Sequence, residues 1–262
     1  MVIGGGPAGM QAALLLDQRK YRTILIDERE KLGGTLNVAD KAPIKEKVAD
    51  MNNGMIREIE ESGVDVRMNT KATVEMVKEL NPDGIFVAVG ATPAIPPIQG
   101  IQGKNVMLAE DVLTGKSVAT GRVAVIGSGL TGLETAELLA DKGHPITLVE
   151  MQKNIGPGIN RTILVDLMMR FQKHEPVIIP NHRLMGISEN GITIMNQMNN
   201  QVMQIEADTV VLALGVAPRR SMVNEFLDAF ENIRVIGDAE KAGRIQEAIK
   251  EGYSQAFAFT TK

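Results

Sequence analysis

The sequence predicts an α/β fold of two parallel-sheet domains, the second inserted into the first. Three observations carry that expectation. A block reading strand, glycine turn, helix, strand, acidic residue occurs twice, at residues 2–27 and 122–150. A strand-like DGIFVAVGATP at 83–93 is echoed by DTVVLALGVAP at 208–218, each meeting a glycine and, three residues later, a proline. The segment from 217 onward is too short to be a domain of its own, so it returns to complete the first.

In order along the chain, VIGGG leads into PAGMQAALLLDQRK and then RTILIDE, while RVAVIGSG leads into LTGLETAELLADKG and then PITLVE. The strand runs are short and β-branched, and the helices carry few breakers. Gly4 precedes Asp27, and Gly127 precedes Glu150, by the same 23 residues. VDVRM (64–68), VIIPN, ITIMN and VMQIE (177–206) read as extra, partly antiparallel strands. ATPAIPPIQG at 91–100 reads as a crossing linker, and a second crossing follows Gly215. IRVIGD at 233–238 supplies one more strand, with a helix from about Gly243 to Phe259. The expected domains are 1–115 plus 217–262, and 116–216.

Gly4, Gly6 and Gly9 fit G-x-G-x-x-G, as do Gly127, Gly129 and Gly132. The first glycine permits a tight turn, the second lets pyrophosphate approach the backbone, and the third lets helix and strand pack closely. Pro7, Ala8, Ser128, Leu130 and Thr131 fill the turns and first helical positions. A helix N-terminus there offers amide hydrogens and partial positive charge to phosphates. Asp27, with Glu28 beside it, and Glu150 end the second strands, where a carboxylate accepts from ribose hydroxyls. One such match alone is most simply an ordinary βα turn. Two matches with the same strand, helix and acid spacing point to two Rossmann-like dinucleotide-binding domains. Gly90 and Gly215, at the echoed strand ends, complete the candidates read from the repeat.

Composition narrows the classes. The chain of 262 residues is 44% hydrophobic and 23% charged, with net charge −4, so nucleic acid is not an expected partner. No apolar run reaches the roughly 18 residues of a membrane span. No basic-then-apolar leader pattern is present, and a cytoplasmic location is expected. With no cysteine, the chain holds no disulfide, redox dithiol or thiolate-bound iron–sulfur cluster, and no metal site is expected. Fifteen methionines read as flexible core filler.

GGGPAG with Asp27, KLGG at 31–34 and the late IGDAEKAGRIQEAIKEG together resemble the two-dinucleotide-binding flavoproteins, which take FAD at the first glycine turn and NAD(P)H at the second. The resemblance implies that Gly33 and Gly34 approach the flavin and that Gly237–Asp238 places a carboxylate on its ribityl chain. It also implies a helix beginning at Arg244 and Ile245 whose positive end faces the flavin's pyrimidine edge. An amphipathic core helix is the plainer account of that last segment, and the two are compatible. Thr35 is either a flavin contact or a loop hydrogen bond. Glu150 favours NADH over NADPH, because a carboxylate repels a 2′-phosphate; Lys153 is the only nearby cation and reads as a surface lysine.

LGGTLNVADKAPIKEK (32–47), NIGPGINRT (154–162) and GDAEKAGRIQEAI (237–249) narrow the match. Over essentially the whole chain they resemble the C-terminal half of the 2,4-dienoyl-CoA reductase / enoate reductase family, which is trimethylamine dehydrogenase-like and related to old yellow enzyme. Proteins of that family begin with a TIM barrel carrying FMN and a four-iron four-sulfur cluster. The resemblance implies hydride transfer from NADH to FAD here, and onward transfer to that barrel, where an enoate or dienoyl-CoA is reduced. Only Met1–Ile3 precede Gly4, so a fragment of such an enzyme is expected over a free-standing subunit. Two other readings stay open: a nucleotide-binding structural module holding ADP, and a diaphorase-type electron-transfer subunit.

Hydride transfer needs positioning and exclusion of water, not a nucleophile or base, and no side chain is assigned a catalytic role. His144, His174 and His182 read as solvated or capping groups with no carboxylate at a telling spacing. Arg219–Arg220 read as a surface pair in preference to a phosphate contact. Two departures from the family pattern stand out: Asp27 where many relatives have Glu, and Ala88-Val89-Gly90 in place of Ala-Thr-Gly.

Overall fold

The computed structural model describes residues 1–260 and resolves into two compact units. Among the described residues the first comprises 1–40, 45–92 and 216–260, and the second 41–44 and 93–215.

The first unit begins with β1 (Val2–Ile3), α1 (Pro7–Gln18), β2 (Ile24–Ile26) and α2 (Leu36–Ala39), followed by α3 (Glu46–Glu60), β3 (Asp65–Arg67), α4 (Val74–Leu80), β4 (Ile85–Val87) and β5 (Ala91–Pro93). The second unit holds β6 (Val106–Leu108), α5 (Ala109–Leu113), β7 (Val123–Ile126), α6 (Leu130–Asp141), β8 (Ile146–Val149), α7 (Arg161–Phe171), β9 (Val177–Ile179), β10 (His182–Ser188), β11 (Gly191–Asn196), β12 (Val202–Glu206) and β13 (Thr209–Leu212). The chain then re-enters the first unit through β14 (Val216–Pro218), α8 (Arg220–Ala229), β15 (Ile233–Val235) and α9 (Ile245–Phe257).

The first sheet has the order β15-β4-β1-β2-β3, parallel throughout. Its strands are too short to alternate visibly, but their two faces sort cleanly. Val2, Leu25 and Phe86 pack with α1, α3 and α9, while Ile3, Ile26, Ile85 and Val87 pack with the α4 and α8 side. Both faces are therefore apolar, as a sheet covered on both sides requires. The C-terminal segment is anchored by Phe259, whose ring meets Tyr21 and Phe86 edge-on at 5.3 and 5.4 Å. Arg19 donates to the carbonyls of Ala256 and Phe259, tying α1 to the end of α9.

In the second unit the order is β6-β13-β7-β8-β9, also parallel. Val123, Val125, Leu148 and Val211 face the α5, α6 and α7 layer. Ala124, Ile126, Val149, Val210 and Leu212 meet Leu184, Ile187, Ile192 and Ile194 of an antiparallel sheet, β10-β11-β12. Fully burying one such aliphatic side chain contributes about 1.5–3 kcal/mol, so this small sheet serves as the lid of the core where the first unit uses helices.

One expectation, the domain limit, needs correction, and the extra strands can now be sorted. Of the four segments expected as extra, partly antiparallel strands, VDVRM supplies β3, which runs parallel to β2 at the edge of the first sheet. VIIPN likewise supplies β9, parallel to β8; only ITIMN and VMQIE pair antiparallel, as β11 and β12. Residues 93–115, expected in the first domain, lie in the second unit, because β6 pairs with β13 there.

Candidate functional site

The two glycine turns fold alike, and each glycine has a distinct reason to lack a side chain. Gly4 (φ +107°) and Gly127 (φ +100°) take left-handed backbone that other residues resist, and a Cβ at either would strike the carbonyl of Ala88 or Ala213. Gly9 and Gly132 sit where helix crosses strand, and a Cβ would strike the Gly4 or Gly127 carbonyl oxygen. The middle glycines differ. Gly6 and Gly129 have ordinary extended φ/ψ. A Cβ on Gly6 would come no nearer than 4.0 Å to any neighbour, and one on Gly129 meets nothing within 4 Å. Packing does not require glycine at either place. What is left bare is backbone at the N-termini of α1 and α6, whose first amides have no acceptor within the helix.

Each turn is stapled to its acid. Asp27 Oδ2 accepts from the Gly5 amide at 2.6 Å and Oδ1 from the Arg29 amide at 2.8 Å. Glu150 Oε2 accepts from the Ser128 amide at 2.8 Å and the Ser128 hydroxyl at 2.6 Å, and Oε1 from the Gln152 amide at 2.8 Å. Both carboxylates are buried. Their free lone pairs still allow each to accept from a further hydroxyl. The Ser128 hydroxyl also accepts from the Gly156 amide at 3.1 Å, tying the NIGPGIN loop to the second turn.

In the first unit the turn opens on a cleft that is open to solvent. Of the predicted residues, Gly4, Gly6, Pro7, Ala8, Asp27, Glu28, Gly34, Thr35, Gly90, Asp238, Arg244 and Ile245 line it. Gly9, Gly33 and Gly237 do not: they lie beneath its wall, Gly33 (φ +108°) over Asn52 and Gly237 (φ +63°) against Ala8. Asp238 accepts from the Gly243 amide at 3.0 Å, and partial burial, with Glu247 nearby, raises its carboxyl above the ordinary value. Glu247 in turn accepts from the Arg244 amide at 2.8 Å, capping α9, and Glu251 accepts from the Gly237 amide at 2.8 Å.

The remaining predicted residues, Gly127, Ser128, Gly129, Leu130, Thr131, Gly132 and Glu150, gather at the β7–α6 turn of the second unit. Gly215 (φ +84°) follows β13, as Gly90 (φ +72°) follows β4, each with nothing within 4 Å of a Cβ.

Several groups escaped the sequence reading. Thr70 and Ala72, just past β3, line the cleft, and no local motif marks them. Arg219, read as a surface residue, also lines it and pairs with Glu28 at 2.7 Å. His174 meets Asp141 at 2.9 Å, a pairing that sequence spacing does not mark. His144 and His182 instead contact the carbonyls of Gly121 and Pro180. Beneath the KLGG loop, buried Asn52 donates to Asn37 Oδ1 at 2.9 Å and Asn37 donates to the Leu32 carbonyl at 2.9 Å. Asn52→Ala strands the Asn37 acceptor and is expected to lower stability by about 1–3 kcal/mol, read as a fall in the urea midpoint at unchanged slope.

Residues 1–252 match the pyridine nucleotide-disulphide oxidoreductase family, and the chain belongs to it. This makes it a flavin-dependent oxidoreductase module of the kind that uses NAD(P)H. It is 35% identical over 257 residues to bilirubin reductase of Mediterraneibacter gnavus and 36% identical over 262 residues to NADH oxidase of Thermoanaerobacter brockii. Each alignment covers 98% of this chain and 40% of the relative. A solved 2-naphthoyl-CoA reductase superposes with a TM-score of 0.92 at 27% identity, over 98% of this chain and 39% of that one. The chain thus spans about 40% of the length of the curated relatives it matches. No helix among the described residues is long and apolar enough to cross a membrane, and no group of metal-ligating side chains occurs among them.

Proposed function

We propose that this chain is the NADH-oxidising, FAD-holding half of a longer cytoplasmic enoate or dienoyl-CoA reductase-type enzyme. The observation that supports this most is the pair of middle glycines. Gly6 and Gly129 leave helix N-termini bare where nothing in the protein packs, as two dinucleotide pyrophosphates require.

FAD, when bound, supplies the acceptor for a hydride from the nicotinamide. The chain's own work is positional. The α1 N-terminus faces the diphosphate and the Asp27 carboxylate the adenosine ribose, while Asp238 and the N-terminus of α9 attend the far end of the cleft. The α9 helix end offers partial positive charge to an electron-rich ring. In the second unit the α6 N-terminus and Glu150 hold NADH by the same two devices. The preceding part of such an enzyme, an FMN barrel with a four-iron four-sulfur cluster, would receive the electrons and carry the substrate pocket.

A visible spectrum tests this reading. The purified chain, as isolated or after incubation with FAD, is expected to show flavin absorbance that bleaches anaerobically on adding one equivalent of NADH. A chain that takes up ADP and never flavin, by mass spectrometry of the released ligand, is a nucleotide-binding scaffold instead.

A further inference from the structure

The cleft of the first unit has two distinguishable ends. Asp238, Arg244 and Ile245 mark one. The other is bounded by the ends of β2 and β3, at the opposite edge of the sheet from β15: Glu28, Thr70 and Ala72. Across this second end Arg219 Nη1 donates to Glu28 Oε1 at 2.7 Å, joining residues 191 apart in sequence. Arg219 sits at the start of α8, where its amide reaches towards the Gly90 carbonyl. The neighbouring Asp27, also in the cleft lining, accepts from the Gly5 and Arg29 amides. Consecutive carboxylates therefore do different work: one braces the glycine turn, the other reaches over the opening.

We propose that Arg219 and Glu28 form a clasp over the adenosine end of the cleft, holding the adenine moiety of a bound dinucleotide and setting how fast it leaves. This rests on the reading of the cleft as the FAD site. A guanidinium offers a flat face to a heteroaromatic ring while its edge stays bonded to a carboxylate, which a lysine cannot do. The pair is too exposed, at 26% and 37% of the side chains, to hold the fold together. Arg29 and Lys71 also act on Glu28 at longer range, so loss of Arg219 removes the hydrogen-bonded partner and leaves Glu28 charged neighbours.

The test is FAD release from the reconstituted chain, followed by recovery of flavin fluorescence, for R219Q, E28Q and the double variant. Each single variant is expected to release FAD roughly 5–10-fold faster. The double variant should match the singles and not their product, because the two residues act as one unit. R219K should behave as R219Q does. Thermal midpoints of the apoproteins should be unchanged. FMN, which has no adenosine, should bind all four substituted forms as it binds the original. Unaltered FAD release from variants that bind it overturns the clasp alone. Failure of the unsubstituted chain to bind FAD overturns the cleft reading and the clasp with it.

Discussion

Gly6→Val is expected to leave the protein folded and lower FAD affinity at least ~100-fold, equivalent to about 2.8 kcal/mol. Gly129→Val should do the same to NADH, leaving a yellow protein that no longer bleaches. Both positions have φ/ψ open to any residue, and a Cβ at either meets no atom nearer than 4.0 Å. The only cost to the fold is a poorer helix N-cap, about 0.5–1 kcal/mol. Gly9→Ala and Gly132→Ala are the internal controls. There the added methyl meets a backbone carbonyl of the same turn, and a loss of about 3 kcal/mol is expected from overpacking. Urea midpoints and flavin absorbance measured on all four variants separate the two kinds of glycine. A Gly6→Val protein with a full complement of FAD would show that the pyrophosphate does not lie on that backbone.

Glu150→Arg is expected to invert nicotinamide preference, shifting the ratio of NADPH to NADH efficiency by roughly 10–100-fold. That corresponds to about 1.4–2.8 kcal/mol of differential binding. The sign follows from charge: the carboxylate accepts from a ribose diol and repels a 2′-phosphate, and a guanidinium reverses both. The structure adds a second consequence. Glu150 also receives the Ser128 amide and hydroxyl and the Gln152 amide, so any substitution strands buried donors at about 1–3 kcal/mol in all. Selectivity must therefore be read from kcat/KM ratios below the variant's melting range. An unchanged ratio in a folded variant would assign Glu150 to the staple alone.

The features legible in sequence were those with a local signature. Glycines at fixed spacing, each followed by an acid at the same remove, announced both cradles. The GD dipeptide and the helix after it announced the chain's return. What escaped was set by partners distant in the chain. VDVRM has Asp65 exposed and its neighbours half-buried, a pattern that any edge strand shows, so its parallel pairing with β2 could not be told from a hairpin. Asn52 lies in an amphipathic helix, where asparagine ordinarily faces water; only packing against the KLGG loop buries it. Glu28 and Arg219 meet because the end of β2 lies near the start of α8, which nothing in either local segment records. The domain limit at 115 failed because β6 is three residues of ordinary composition, assigned by its neighbour β13 and not by itself.

Strands β5 and β14 pair side by side, and the Ala94 amide donates to the Gly215 carbonyl at 2.9 Å. The point of departure and the point of return are thus clamped next to each other. Whatever spans 95–214 is, to the rest of the chain, a closed ring whose circumference scarcely matters, since doubling a loop adds only about 0.6 kcal/mol of closure entropy. Such an arrangement tolerates exchange of the whole inserted stretch for another of different size, so lineages sharing the outer scaffold are free to diverge in what they carry at that junction.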